Sequence, residues 1–146
     1  MTIIGCVDDK FGIMFNHRRQ SSDVAVINDI YHIMEHERED SRLYMNSYSY
    51  ALFSWEDKFK NRIVVDDMFL GKCGCDDLCF IEAKIDDDTF ARADEVILYR
   101  WNKIYPSDCK IETFLLESTY IINETSQFPG KSHDLITREI YTRKQK

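Results

Sequence analysis

Apolar and polar positions follow two different periods along this chain, and each change of period marks an element. Thr2–Val7 (T-I-I-G-C-V) is a short apolar, β-branched run that gives way to the polar turn Asp8-Asp9-Lys10, and it reads as a buried strand. From Val24 to Glu37 the period becomes helical, with Ile27, Ile30, Tyr31 and Met34 at i, i+3, i+4 and i+7. Ser22 or Asp23 in front of it is a suitable N-cap, because a side-chain oxygen there accepts an orphaned backbone N–H. Arg42–Met45 then reads as a strand, Ser47–Phe53 as a helix, Arg62–Val65 and Leu78–Ile81 as strands, Asp86–Ala93 as a short helix and Glu95–Trp101 as a strand. Phe114–Glu117 and Thr119–Glu124 are expected to form a strand pair, and Leu135–Arg143, rich in Ile, Thr and Tyr, a closing strand. Strands alternating with short helices predict a buried, mostly parallel sheet. The late strands without helices predict an antiparallel finish.

Composition narrows this to a single domain spanning residues 1–146, with 44% apolar and 31% charged residues, enough for one sizeable core. No apolar run approaches the ~20 residues that span a bilayer. The opening M-T-I-I-G-C lacks a basic n-region, so no export signal is expected. A formal charge of −7 works against nucleic-acid binding, which needs a basic surface. Five cysteines without an export signal predict reduced thiols and a cytoplasmic protein. Cys73-x-Cys75-x3-Cys79 lacks the paired spacing of a zinc module, so Cys79 is expected in a strand and Cys73 and Cys75 in a glycine-containing turn, with no metal. His32 and His36 lie four apart, but no His-Glu-x-x-His pattern accompanies them, which leaves a solvated helix face. Nucleophile-elbow, P-loop and dinucleotide-fingerprint glycine patterns are all missing.

Several segments, in order, resemble the dihydrofolate reductase family. Thr2–Val7 followed by Gly12-Ile13-x-x-Asn16 resembles its opening strand and loop. Met45-Asn46-Ser47-Tyr48-Ser49 resembles its Met-Gly-Arg-x-Thr, and Leu78–Ala83 its strand ending in Ile-Gly-Gly. Ala93–Tyr99 resembles its Ala-Asp-x-Leu-x-Leu-Thr strand, Pro106-Ser107-Asp108 the turn after it, and Ser132-His133 with Glu139–Tyr141 its final hairpin. The resemblance implies an α/β, three-layer fold with a central mixed, mostly parallel sheet, flanking helices and an antiparallel C-terminal finish. It also implies hydride transfer from NADPH or NADH to a pterin-like or other small heterocycle.

The resemblance places the functional residues as well. Asp23 stands where the family has its proton-relay acid, although a helix-capping carboxylate serves structure equally well. Ile27 and Tyr99 would line the substrate pocket, and Asn16, His17, Arg18, Arg19 and Gln20 would form the lid. Met45, Asn46, Ser47, Ser49, Asp66, Glu82 and Ala83 would line the cofactor cleft. Three departures bear on the chemistry. Glu82-Ala83 replaces the Gly-Gly pair that lets a backbone approach a diphosphate, adding a charge of the wrong sign and a Cβ. Ser47 replaces the arginine that would meet a 2′-phosphate. Asp66-Asp67 would repel that phosphate, yet suit a ribose diol or an ordinary turn.

Two functions follow. One is a divergent NAD(P)H-dependent reductase of a small molecule, with Asp23 assisting proton transfer. The other is a non-catalytic protein of the same fold that binds a small anion or a protein partner through Arg18-Arg19. An aromatic content of 13% is compatible with a homodimer interface without locating one.

Overall fold

The computed structural model describes residues 1–55 and 57–145. Its strands are β1 (Thr2–Val7), β2 (Gly12–Phe15), β3 (Arg18–Arg19), β4 (Leu43–Met45), β5 (Ile63–Val65), β6 (Leu78–Phe80), β7 (Glu95–Arg100), β8 (Cys109–Lys110), β9 (Tyr120–Phe128) and β10 (Ile136–Arg143). Its helices are α1 (Val24–His36), α2 (Ser47–Tyr50), α3 (Asp87–Arg92) and α4 (Thr113–Thr119). Seven strands form the main sheet in the order β5-β4-β6-β1-β7-β10-β9. The first five pair in parallel, while β10 runs antiparallel to both β7 and β9. This is the mixed sheet with an antiparallel finish that the sequence implies.

Alternation along the central strands divides the core between two faces. On β1 and β7, Ile3, Val96 and Leu98 pack with α4 residue Leu116 and with Tyr120. Ile4, Ile97 and Tyr99 face the other way, onto Ile27, Ile30 and Met34 of α1. Asp23 caps α1, and its side chain accepts from Ala25 N.

Three expectations need correction. Phe114–Glu117 is helical, within α4, where the Glu112 side chain accepts the Phe114 N–H and a single residue, Leu116, is buried. Three apolar residues followed by a glutamate fit one helical turn as well as a strand. The helix expected over Ser47–Phe53 is regular only to Tyr50 and continues as turns. Cys73 and Cys79, expected as reduced thiols, are joined by a disulfide. The turn at Gly74 folds the chain back, with Gly74 N donating to Asp77 Oδ2, and leaves their Cα atoms 6.9 Å apart. Among the described residues, no helix is long and apolar enough to cross a membrane, and no cluster of three or more His, Cys, Asp or Glu is arranged to hold a metal.

The segment expected as a lid is a hairpin. β2 and β3 pair at Phe15 and Arg18, and the two residues between them, Asn16 and His17, have φ of 53° and 61°. Two positive φ values define the tight turn whose twist matches its strands, and glycine at the second position suits it best. His17→Gly should therefore raise stability by about 0.5 kcal/mol, the relief of a left-handed side chain partly offset by a freer unfolded chain. A denaturant midpoint that moves up at constant slope checks this, and a midpoint that moves down contradicts it.

Candidate functional site

The parallel strands end at an edge covered by the β2–β3 hairpin, the first turns of α1 and α2, and the loop from β9 to β10. Three depressions open there, one of about 330 Å³ along the hairpin itself beside Phe15, Arg18, Gln20 and Tyr105. A pocket of about 270 Å³ lies between α1 and the segment after α2, lined by Ser21, Asp23, Ile27, Leu52, Trp55 and Trp101. A wider cleft of about 740 Å³ runs past Met14, His17, Asn46, Tyr48, Ala83 and Asp108. Glu82 lines both.

Glu82 does not face solvent. Its side chain is 8% exposed and forms a two-point ion pair with Arg19: Nε donates to Oε2 at 2.7 Å and Nη2 to Oε1 at 3.0 Å. Ser49 Oγ donates to the same Oε1 at 2.8 Å. The guanidinium lies 4.2 Å above the Tyr48 ring, and the Tyr48 hydroxyl accepts the Arg19 N–H. Burial alone would lower the pKa of Arg19, but the bonds from Glu82 outweigh it and hold the guanidinium firmly charged. The hairpin is thus pinned across the sheet edge by a planar, charge-assisted fork.

This pairing alters the expected anion site. Successive strand residues point to opposite faces, so the adjacent arginines do not converge. Arg19 is neutralised by Glu82, and Arg18 is left exposed. His17 is exposed in the turn, Asn16 N donates to Asp108 Oδ2, and Gln20 Nε2 bridges Asp8 Oδ2 and the Pro106 carbonyl.

The other residues expected at a cofactor are divided between core and turns. Met45 is fully buried beneath α1. Asn46 caps α2 and accepts the Ser49 N–H. Ser47 is tied to Asp67 through both its N–H and its hydroxyl, and Asp66 pairs with Lys72. Ala83 is exposed on the cleft wall. Asp66 and Asp67 therefore do turn chemistry, with carboxyls held below the usual range chiefly by Lys72 and by the Ser47 N–H respectively.

Asp23 lies at the pocket's base, 4% exposed. Its Oδ1 accepts from Ala25 N and Lys131 N, and its Oδ2 from Ser132 N, His133 N and His133 Nδ1. Burial would raise its pKa, but these donors outweigh it and hold the carboxyl at about 2. Near neutral pH such a group is ionised and has no proton to give. Ile27 lines the pocket, whereas Tyr99 turns away and donates to Asp29 Oδ2 at 2.6 Å, in a pair closed by Arg138.

Sequence reasoning missed the partner that lies behind Ser21 and Asp23. His133 is 4% exposed and its ring stacks on Trp101 with centroids 4.5 Å apart. Its Nε2 meets Ser21 Oγ at 3.0 Å and the Tyr105 hydroxyl at 3.1 Å. Gly130 lets the loop close, since a Cβ there would lie 2.5 Å from Asp23 Oδ2. The available signal was Pro129-Gly130 followed by Ser132-His133, a turn with polar residues between two strands.

Layers, strand order and clefts define an α/β protein with its site at the carboxyl ends of parallel strands. More narrowly, the chain has the dihydrofolate reductase fold. Dihydrofolate reductase from Enterococcus faecalis, complexed with NADP(H) and RAB-propyl, matches over 99% of this chain and 96% of its own, with a TM-score of 0.62 at 10% identity. No protein-family model and no curated protein matches the chain.

Proposed function

We propose that this protein binds a small neutral molecule in the α1 pocket and does not take a nicotinamide dinucleotide in the manner of reductases of this fold. One observation carries the reading: the Arg19–Glu82 fork, sealed by Ser49, stands where the chain's resemblance to that family puts a diphosphate against glycine backbone. A dinucleotide would have to break this pair and then meet a carboxylate. The pocket's own charges are likewise engaged. Asp23 has its oxygens filled, Glu82 is paired, and burial pushes the Cys6 thiol far up, so it stays neutral. What remains is Ser21 and Ser22 among Ile27, Leu52, Trp55 and Trp101, which suits an uncharged, largely apolar ligand.

The chain has two tryptophans and both line this pocket, so intrinsic fluorescence reports on it directly. Quinazoline and indole should quench that fluorescence and raise the melting temperature, while NADPH and NADH should do neither. Melting shifts with either dinucleotide overturn the proposal. They would restore the second reading, a divergent reductase, which draws support from two clefts that share Glu82 and from the NADP(H) in the Enterococcus enzyme. Glu82→Gly bears on where a dinucleotide would lie. Removing charge and bulk should let the variant bind NADH or NADPH at least tenfold more tightly than the parent by titration calorimetry. Equal or weaker binding would contradict this placement of the cleft.

A further inference from the structure

We propose that Ser21, His133 and Asp23 form an acyl-transfer site in which Ser21 is the nucleophile toward small neutral esters. The proposal rests on the pocket being a site for neutral ligands, and adds a reaction to it.

The hydrogen-bond inventory orders the three side chains. Asp23 is ionised and can only accept, so at the 3.1 Å contact with Asp23 Oδ2 a neutral His133 ring carries its proton on Nδ1. In that neutral tautomer Nε2 is a lone-pair acceptor, 3.0 Å from Ser21 Oγ. A serine hydroxyl on one imidazole nitrogen and a buried carboxylate on the other is the arrangement that activates serine, and it is recognised by geometry rather than chain order. Asp23 serves as the positioning residue, and Trp101, stacked at 19° to the His133 plane, restrains the ring. Ser21 lines the apolar pocket, so its oxygen is reachable from the side where a ligand would sit.

The surroundings suit the charge that develops. Ser21 lies just before α1, a helix of 13 residues whose first turn carries partial positive charge. Among the described residues, no acceptor meets the N–H of Ser22 or Val24. These are donors for an oxyanion on a substrate held against Ser21. Leu52, Ile27 and Trp101 would receive the acyl chain.

The step balances without any outside oxidant or metal. Ser21 Oγ bonds to the ester carbonyl carbon as its proton passes to His133 Nε2. The ester C–O bond breaks and the leaving alcohol takes that proton. Water, deprotonated by the same nitrogen, then adds to the acyl-serine, releasing a carboxylic acid and restoring the hydroxyl.

Incubation of the whole chain with a fluorophosphonate probe tests this, read by intact mass and peptide mapping. One adduct per chain is expected, on Ser21, and none on Ser21→Ala, a small change at a partly exposed position. His133→Gln should slow labelling and the hydrolysis of p-nitrophenyl acetate by at least a hundredfold. Tyr105→Phe removes the competing hydroxyl at Nε2 and should speed labelling several-fold, an effect that a purely structural network would not show. No adduct, an adduct elsewhere, or labelling indifferent to both His133→Gln and Tyr105→Phe overturns the proposal. Quinazoline quenching of the tryptophans in a chain that does not label would overturn this step alone and leave the binding pocket standing. Loss of both quenching and labelling would overturn the two together.

Discussion

Asp23→Asn should lower stability by about 3 kcal/mol and the melting temperature by about 10 °C, because hydrogen bonds to a charged group contribute about 1.5–3 kcal/mol and this carboxylate collects several. The amide keeps one acceptor oxygen and turns an NH2 toward the N–H groups of Ser132 and His133, which leaves donors facing donors in a site that is 4% exposed. The acid limb of the stability curve gives an independent sign. The folded pKa of Asp23 is about 2 against 3.8 for the free group. Its contribution is therefore fully present above about pH 4 and lost as pH falls through about 2. At 1.36 kcal/mol per pKa unit, that limb is worth about 2 kcal/mol. Asp8 is also held low: burial would raise its pKa, but the Gly12, Tyr105 and Lys10 N–H groups and Gln20 outweigh it. It shapes the same limb in parent and variant alike. Asp23→Asn should thus be less stable than the parent at pH 7 by more than at pH 2, as measured by urea unfolding across that range. A constant difference would mean that Asp23 is not the low-pKa anchor of the β9–β10 loop.

The fold was legible where local chemistry and tertiary burial agree. β1 and β7 are apolar on both faces because the sheet is covered on both, and α1 carries its cap and its apolar stripe in adjacent residues. It was less legible where a short run served two periods, as at Phe114–Glu117, and where a covalent link depended on how a turn folds, as at Cys73 and Cys79. The site was half legible. The resemblance pointed to Asp23, Ile27, Arg19 and Glu82, and all four stand at the sheet edge. What no spacing announces is pairing. Arg19 and Glu82 are 63 residues apart, and Asp23 and His133 are 110 apart. A lone charged residue in a sequence reads as a free functional group, and here the long-range partner determines what each can do. Ser21 stood beside the predicted cap and drew no attention, because its partner arrives from the last hairpin.

Removing either member of the Arg19–Glu82 pair should be costly, and removing both much less so. Arg19→Met leaves the Glu82 carboxylate, 8% exposed, with the Ser49 hydroxyl alone and should cost about 3 kcal/mol, within the range for an orphaned buried charge. Glu82→Met leaves a guanidinium 21% exposed, with the Tyr48 ring and carbonyl as remaining partners, and should cost about 2 kcal/mol because water still reaches it. The double variant Arg19→Met, Glu82→Met should recover most of the loss, since neither desolvated charge remains. With about 1 kcal/mol lost in the double variant, urea unfolding of the four proteins should give a coupling of about 4 kcal/mol, and additive losses would show that the two charges act independently. A pair whose halves are each expensive and whose joint removal is cheap adds little to net stability. Its effect is on geometry. The Arg19–Glu82 fork holds the hairpin over the sheet edge and keeps a charged wall between the α1 pocket and the wider cleft.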